Sequence, residues 1–146
     1  MTAPRVHHLA GFGLEVPELA VAEKFYSTFG LVANAGSEFL TLGTGSARPP
    51  ELLVFKGAAK RLHHLSFAVT EKDLGRFEEH LLAMGVQCRT PAFGSARAGL
   101  WFEDPWGTWI NLVPVLTAYE NIDYPLIMVQ DWSPADRANR VTGLLE

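Results

Sequence analysis

Apolar positions along the chain change their spacing in a regular order. In residues 9–16 they alternate with other residues, which is typical of a strand with one apolar face. In residues 17–30 they recur every three or four positions, which predicts an amphipathic helix. Gly30 suits the C-terminal end of that helix. Three shorter β-like runs follow, at residues 31–35, 38–43 and 51–56.

The predicted first helix carries several apolar side chains on one side. They are Leu19, Ala22, Phe25, Tyr26 and Phe29, and their steps of three and four place them along a single stripe. This spacing is typical of an amphipathic helix.

The same order of elements then repeats. Residues 62–69 alternate like a strand, and residues 71–84 have helical spacing, with Thr70 as the predicted N-cap. Gly85 takes the place that Gly30 has in the first half. Three further β-like runs lie at residues 86–90, 99–103 and 108–114.

The repetition indicates an internal duplication. Aligning Val16 with Val69 and Gly30 with Gly85 gives offsets of 53 and 55 residues (69 − 16 and 85 − 30). One βαβββ unit has a single helix to cover its sheet, so two units are expected to combine and bury the open face. We predict an α+β fold in which two βαβββ modules form a curved eight-stranded sheet around a cleft, with the helices outside.

We expect the whole chain, residues 1–146, to be one domain of this kind. Module 1 covers about residues 6–57, module 2 about residues 61–114, and a C-terminal tail residues 115–146. In the tail, Ser133 is the predicted N-cap of a short helix.

Composition narrows the function classes. The chain has 146 residues and a formal net charge of -4, so it lacks the excess of positive charge that nucleic-acid binding requires. No apolar stretch reaches the length needed to span a bilayer. The one cysteine, Cys88, excludes an internal disulfide and suits a reducing compartment, so we predict a cytoplasmic protein.

Four of the five histidines lie in two doublets at the start of the predicted first strand of each module. The doublets are His7–His8 and His63–His64. Alternation predicts that His7 and His63 point outwards. Two interpretations of the inward members remain open, since histidine serves as a metal ligand or base but is also tolerated at strand ends.

Three quoted segments in this order resemble the vicinal oxygen chelate superfamily. They are "EVPELAVAEKFYSTFGL", "HHLSFAV" and "FEDPWGTWINL". The superfamily includes glyoxalase I, the bleomycin-resistance proteins, methylmalonyl-CoA epimerase and the extradiol dioxygenases, and the resemblance covers roughly residues 6 to 114. It implies the paired-module fold more specifically than it implies an activity.

In metal-using members the resemblance implies a divalent ion (Fe, Mn, Zn or Ni) held in the cleft by histidines and glutamates. Carried over by position, the ligand of the second module is His64, whereas its counterpart in the first module is Gly11 and the last-strand carboxylate is replaced by Asn111. Glu51 and His8 are the remaining candidates, so the predicted metal set is His64, Glu51 and His8.

The same alternation predicts which side chains line the cleft. If Asn111 faces inwards, so does Trp109, and Trp101 and Phe55 lie on the matching faces of their strands. We therefore predict a substrate-binding set of Phe55, Trp101, Trp109 and Asn111, suited to an aromatic or apolar small molecule.

We predict a glyoxalase- or dioxygenase-like small-molecule enzyme acting on an oxygenated substrate in the cleft, and three functions are weighed, of which this is the first. The first is a dioxygenase-, lyase- or isomerase-like enzyme in which His64 is a ligand or general base and Glu51 a ligand or proton shuttle. The second is a metal-free binding protein in which Trp101 and Trp109 stack on an aromatic ligand. The third is a non-catalytic module of the extradiol dioxygenase type. For the chain as a whole we expect a small-molecule substrate or ligand and a homodimer, with no nucleic-acid or membrane partner.

Overall fold

The computed structural model describes residues 3–36, 38–45, 50–93, 98–115 and 133–145. These residues form three helices and seven strands, and the strands make one mixed sheet. In chain order they are β1 (His8–Val16), α1 (Leu19–Ser27), β2 (Val32–Ala35), β3 (Phe39–Gly43), β4 (Leu52–Lys56), β5 (Arg61–Val69), α2 (Glu71–Ala83), β6 (Leu100–Glu103), β7 (Trp109–Pro114) and α3 (Pro134–Leu145).

The two repeats meet at the middle of the sheet. The strand order is β2-β3-β4-β1-β5-β7-β6, with β1 antiparallel to β5, β4 parallel to β1, and β7 parallel to β5. Gly11 pairs with Ser66 and Gly13 with His64. With the offset of 53 residues, Gly11 corresponds to His64 and Gly13 to Ser66, so the register itself has approximate two-fold symmetry. The predicted α+β pairing of two modules is confirmed.

The described residues form seven strands rather than the eight we predicted. Residues 86–90 do not form a strand, although the Arg89 amide donates to the Trp101 carbonyl at 2.9 Å. Pro91 follows directly and has no amide hydrogen to continue such a ladder. The prediction of a strand at 86–90 was therefore wrong.

The helix-facing side of module 1 forms an apolar core. Alternate residues of the strands meet α1 there, and the buried members are Ala22, Leu40, Leu42, Leu52 and Val54. Phe12, Leu14 and Val16 pack against the same cluster, as their alternation predicts. The side chains between them point to the opposite side of the sheet, which we call the inner face.

The first helix buries less than its sequence predicts. Ala22 is buried and Leu19 and Tyr26 pack against the core, but Phe25 is 57% and Phe29 64% exposed. The apolar stripe of the helix is therefore only partly buried. A helix of nine residues crossing a sheet contacts it along a narrow line, and the wider apolar stripe extends beyond that line.

The helix ends follow the sequence signals. The Thr70 side chain accepts a hydrogen bond from the Asp73 amide at 3.1 Å, and the Ser133 hydroxyl accepts one from the Asp136 amide at 3.3 Å. Gly30 and Gly85 have φ angles of 86° and 78°, which lie in the left-handed region that glycine favours. None of the helices in the described residues is long and apolar enough to cross a membrane. The rest of the tail, residues 116–132, lies outside the described residues.

We expect Leu42→Ala to lower the free energy of unfolding by about 2–5 kcal/mol, because it opens a cavity at a fully buried position of the α1 core. Leu82→Ala on α2 is the matched control, since Leu82 is 72% exposed and its truncation should change stability by less than about 0.5 kcal/mol. Urea denaturation followed by circular dichroism measures both. Equal losses for the two variants would contradict the assigned core.

Candidate functional site

Successive side chains of the central strands point to opposite faces of the sheet, and those on the inner face are polar and aromatic. On β5, His64 and Ser66 lie on this face opposite Gly13 and Gly11. On β7, Trp109 pairs with His64 and Asn111 with Ser66. His64, Ser66 and Asn111 are all buried, with at most 1% of each residue exposed.

The inner face is filled by an aromatic cluster around Phe93. The Phe93 ring stacks on His64 at a centroid distance of 5.6 Å and an interplanar angle of 16°. Phe55, Trp101 and Trp109 meet the same ring edge-on, with centroids 5.7, 5.3 and 6.4 Å away. The structure therefore brings together four sequence-predicted residues, His64, Phe55, Trp101 and Trp109. It packs them against one another.

A register shift in β5 turns both members of the second histidine doublet to the same side. Gly13 pairs with His64 and Leu14 with Leu62, so His63 is the extra residue of a bulge. His63 stacks on Phe55 at 4.1 Å, with an interplanar angle of 17°. The prediction that His63 points outwards was wrong, because simple alternation does not survive a bulge.

The two imidazoles share a hydrogen bond. Their Nδ1 atoms are 2.9 Å apart, so one Nδ1 carries the proton and the other accepts it. Burial lowers the pKa of His63, an effect that Arg61 strengthens and Glu15 opposes. The neutral form of His63 is thus favoured by folding.

Glycine at position 13 makes room for this pair. A Cβ atom built on Gly13 would lie 2.3 Å from His64 Nδ1 and 2.4 Å from its Cε1. No real side chain fits at that separation, so the His64 ring rests directly on the backbone of β1. This contact fixes the ring relative to both modules.

Beside His63 the inner face opens into a hollow of about 430 Å³. Its lining residues are Glu15, Glu38, Phe55, Lys56 and His63. The Glu15 carboxylate accepts hydrogen bonds from Arg61 Nε at 2.8 Å and from Arg61 Nη2 at 2.7 Å, which holds the carboxylate in place. His63 and Phe55, rather than His64, therefore border the open space.

Comparison with known proteins finds a relative in sequence and several solved structures that share the fold. Metapyrocatechase 2 from Cupriavidus necator is 38% identical over 111 residues, which are 75% of this chain and 33% of that protein. An extradiol ring-cleaving dioxygenase from B. fuscum aligns at 24% identity with a TM-score of 0.65, over 79% of this chain and 34% of that one. The 3,4-dihydroxyphenylacetate complex of homoprotocatechuate 2,3-dioxygenase from Brevibacterium fuscum gives a TM-score of 0.64 at 24% identity, over 79% of this chain and 38% of that one. No family model matches the chain.

The chain belongs to the vicinal oxygen chelate superfamily. It spans about a third of the length of the relatives it matches.

The metal set that the superfamily resemblance suggested does not come together. His8 is exposed and pairs with Ala68, four residues along β5 from His64. The Glu51 carboxylate accepts a hydrogen bond from the Thr44 hydroxyl at 3.3 Å, on the module 1 side of the sheet. Among the residues that the structure describes, no three His, Cys, Asp or Glu side chains are close enough to hold a metal ion.

The register also identifies the module 1 counterpart of Asn111. Gly13 pairs with Leu53 on β4 as Ser66 pairs with Asn111 on β7, so the equivalent residue is Leu53 and not Glu51. The four superfamily ligand positions therefore hold Gly11, Leu53, His64 and Asn111, of which His64 alone is a good metal ligand. These residues do not fit a divalent metal centre.

Asn111 is nevertheless an unusual residue to bury. It is fully buried, and neither its Nδ2 nor its Oδ1 has a hydrogen-bond partner among the described residues. Each such atom costs about 1–3 kcal/mol relative to solution. A packed core does not require an amide here, and nothing else in the described structure explains it.

Two residues of the cluster escaped the sequence analysis. Phe93 lies between α2 and β6 in "TPAFGSARAG", where no periodicity assigns a direction to a side chain. For His63 a signal was present, since glycine inside a strand often marks a bulge or a close approach, and Gly13 lies opposite the doublet.

Stability should fall as the pH drops below about 6.5, the ordinary pKa of histidine. The pKa of His63 is lowered by folding, so protons bind the unfolded chain first and favour unfolding until the folded-state pKa is also passed. His63→Phe keeps a ring against Phe55 and removes the titrating group. Urea denaturation at several pH values should therefore show a weaker pH dependence in that variant, and an unchanged dependence would contradict the assignment.

Gly13→Ala should displace His64 and break the hydrogen bond between the His63 and His64 imidazoles. Its added methyl group would overlap the ring, whereas Gly75→Ala on α2 meets no atom within 4 Å and serves as the control. We expect the first variant to lose about 1–3 kcal/mol of stability and the second to gain about 0.5–1 kcal/mol. Nitrogen-15 NMR of the imidazoles reports the tautomers, and unchanged His63 and His64 signals in Gly13→Ala would contradict the contact.

Proposed function

We propose that the chain acts as a metal-free module of a dioxygenase-type small-molecule enzyme, with the metal chemistry carried by another module. The proposal rests on one observation, namely which residues stand at the ligand positions of the superfamily. Gly11 and Leu53 have no ligating atom and Asn111 is neutral, so His64 has no anionic partner at those positions.

The packing of His64 supports the same conclusion. Its side chain is 1% exposed and lies against Phe93 on one side and Gly13 on another. A catalytic metal requires open coordination positions that a substrate can reach. A ring enclosed in this way contributes to packing and does not offer such positions.

The relatives support a dioxygenase context. The similarity to Metapyrocatechase 2 and to the B. fuscum dioxygenases covers about a third of those proteins, so most of each lies outside the region this chain resembles. Relatives of this kind are typically iron or manganese dependent. In the proposed arrangement the present module supplies a rigid sheet, and the metal and its substrate site lie elsewhere.

A second function, metal-free binding of a small molecule, is favoured by the hollow beside His63. Its volume of about 430 Å³ falls within the usual range for small-ligand sites. Phe55 offers an apolar surface, and the neutral His63 offers one ring nitrogen as a hydrogen-bond partner. Of the predicted aromatic contacts, Phe55 borders this space, whereas Trp101 is buried in the cluster.

Three further sequence predictions remain predictions. They are the homodimer, the cytoplasmic location, and the division of the chain into two modules and a tail within a single domain.

Metal analysis tests the first proposal. After incubation with Fe(II), Mn(II), Zn(II) or Ni(II) and desalting, we expect less than about a tenth of an equivalent of metal to remain bound. A true structural or catalytic site binds its metal tightly enough to keep close to one equivalent through desalting. His8→Ala is the control for adventitious binding at the exposed His7–His8 doublet. Near-stoichiometric metal that His8→Ala retains and His64→Ala loses would overturn the proposal.

Oxygen uptake gives the matching activity test. With Fe(II) and 3,4-dihydroxyphenylacetate, the ligand of the B. fuscum complex, we expect no ring cleavage by this chain alone. Turnover that depends on His64 would instead favour an enzyme with its own metal centre.

A further inference from the structure

The Glu15 carboxylate, which borders the hollow beside His63, has one oxygen without a donor. Both hydrogen bonds from Arg61, from Nε at 2.8 Å and from Nη2 at 2.7 Å, go to Glu15 Oε2. Glu15 Oε1 accepts none from any residue that the structure describes, although the side chain is only 13% exposed. A carboxylate has about four acceptor positions, so a donor held in the hollow would gain a charge-assisted hydrogen bond there.

Two features of the chain fix the position of this carboxylate. One is the pair of hydrogen bonds from Arg61, and the other is the glycine at position 57. A Cβ atom at Gly57 would overlap Glu15 Oε1 and Cδ, and the Gly57 amide is itself held by donating to the Val16 carbonyl at 2.9 Å. The carboxylate is therefore a preformed part of the wall of the hollow.

The matching position in module 2 indicates that the fold does not need a carboxylate here. Glu15 pairs with Phe55 on β4 as Ala68 pairs with Val113 on β7, so Ala68 is the counterpart of Glu15. Ala68 is fully buried and apolar. Module 1 thus carries a charge at a position where packing alone accepts a methyl group.

Two exposed residues of opposite charge also border the hollow. The Lys56 amide donates to the Glu38 carbonyl at 3.4 Å, yet within the described part of the chain their side chains form no ion pair with each other or with a third residue. Glu15 and Glu38 together give the lining two negative groups against the one positive group of Lys56. Arg61 is not a lining residue and its side chain is 70% exposed, so solvent screens most of its charge. A cleft with this excess favours a cation.

We propose that the hollow binds a small primary amine, with its ammonium group between Glu15 and Glu38 and its apolar body against Phe55. This inference rests on the small-molecule binding proposed above and names the class of ligand. An ammonium group has three donors and no acceptor, so it can satisfy Glu15 Oε1 and Glu38 at the same time. A ligand carboxylate would meet two like charges, and an uncharged ligand would gain only the apolar contact and weaker hydrogen bonds.

Three probes with the same phenylethyl body test the charge. Phenylethylamine, phenylethanol and phenylpropionate differ in the group that would meet Glu15, which is ammonium, hydroxyl or carboxylate. In titrations of the full chain followed by nitrogen-15 NMR, we expect the amine to bind about tenfold more tightly than the other two, as a charge-assisted hydrogen bond provides. The amide signals that shift should centre on Phe55 and His63, which border the hollow.

Two variants should change the affinity for phenylethylamine in opposite directions. Glu15→Gln keeps the shape of the side chain and should weaken binding of the amine about tenfold, with little effect on phenylethanol. Lys56→Gln removes a like charge and should strengthen binding of the amine about two- to threefold, which a loss of structure cannot do. Glu79→Gln, at an exposed position of α2 away from the hollow, is the matched control and should behave like the wild type.

Equal affinity for phenylethylamine and phenylethanol, or tighter binding of phenylpropionate, would overturn the choice of an amine while leaving small-molecule binding in the hollow intact. An unchanged affinity for the amine in Glu15→Gln, or an equal loss in Glu79→Gln, would overturn it as well. If none of the three probes binds at the hollow up to about 10 mM, the small-molecule binding proposed above fails together with it. The metal-free role is tested separately, by metal analysis.

Discussion

The His64 imidazole occupies the space that a side chain at position 13 would need, and this contact forms because residue 13 is glycine. It lies where β1 and β5 pair, which among the described strands is the one place where the two modules share a ladder of hydrogen bonds. Phe93 stacks on the same ring, and His63, at the bulge, shares a hydrogen bond with its Nδ1 atom. The arrangement of the inner face therefore depends on a missing side chain in module 1 and a present one in module 2.

This asymmetry accounts for the chemistry of the inner face. A superfamily metal centre needs ligating atoms from both modules, yet Gly11 and Leu53 contribute none. The space beside Gly13 is taken by the His64 ring, on which Phe93 stacks, so the inward side chain of His64 is used for packing. The approximate two-fold symmetry of the backbone is kept, while the side chains that meet at its axis have different roles in the two halves.

The sequence predicts the fold better than it predicts the site, for physical reasons that particular residues illustrate. Strands and helices are specified locally, by alternation, by the Thr70 cap and by Gly30 and Gly85, so most element positions could be predicted. The inward direction of His64, Trp101, Trp109 and Asn111 follows from period-two alternation and from pairing. The direction of His63 could not be obtained in this way, since one extra residue in a strand reverses the facing of the residues around it. Phe93 could not be placed either, because no periodic element carries it.

The partial burial of the α1 stripe and the missing strand at residues 86–90 have a common origin. In both cases the local sequence pattern would allow more than the surrounding structure provides. For α1 this is burial, and for residues 86–90 it is strand pairing. Phe25 and Phe29 have helical spacing, but α1 crosses the sheet along the line of Ala22, and no described element covers its outer side. Residues 86–90 have strand-like composition, but Pro91 removes the donor that a continued ladder would need. Apolar periodicity records what a segment can bury, whereas the neighbouring elements decide what it does bury.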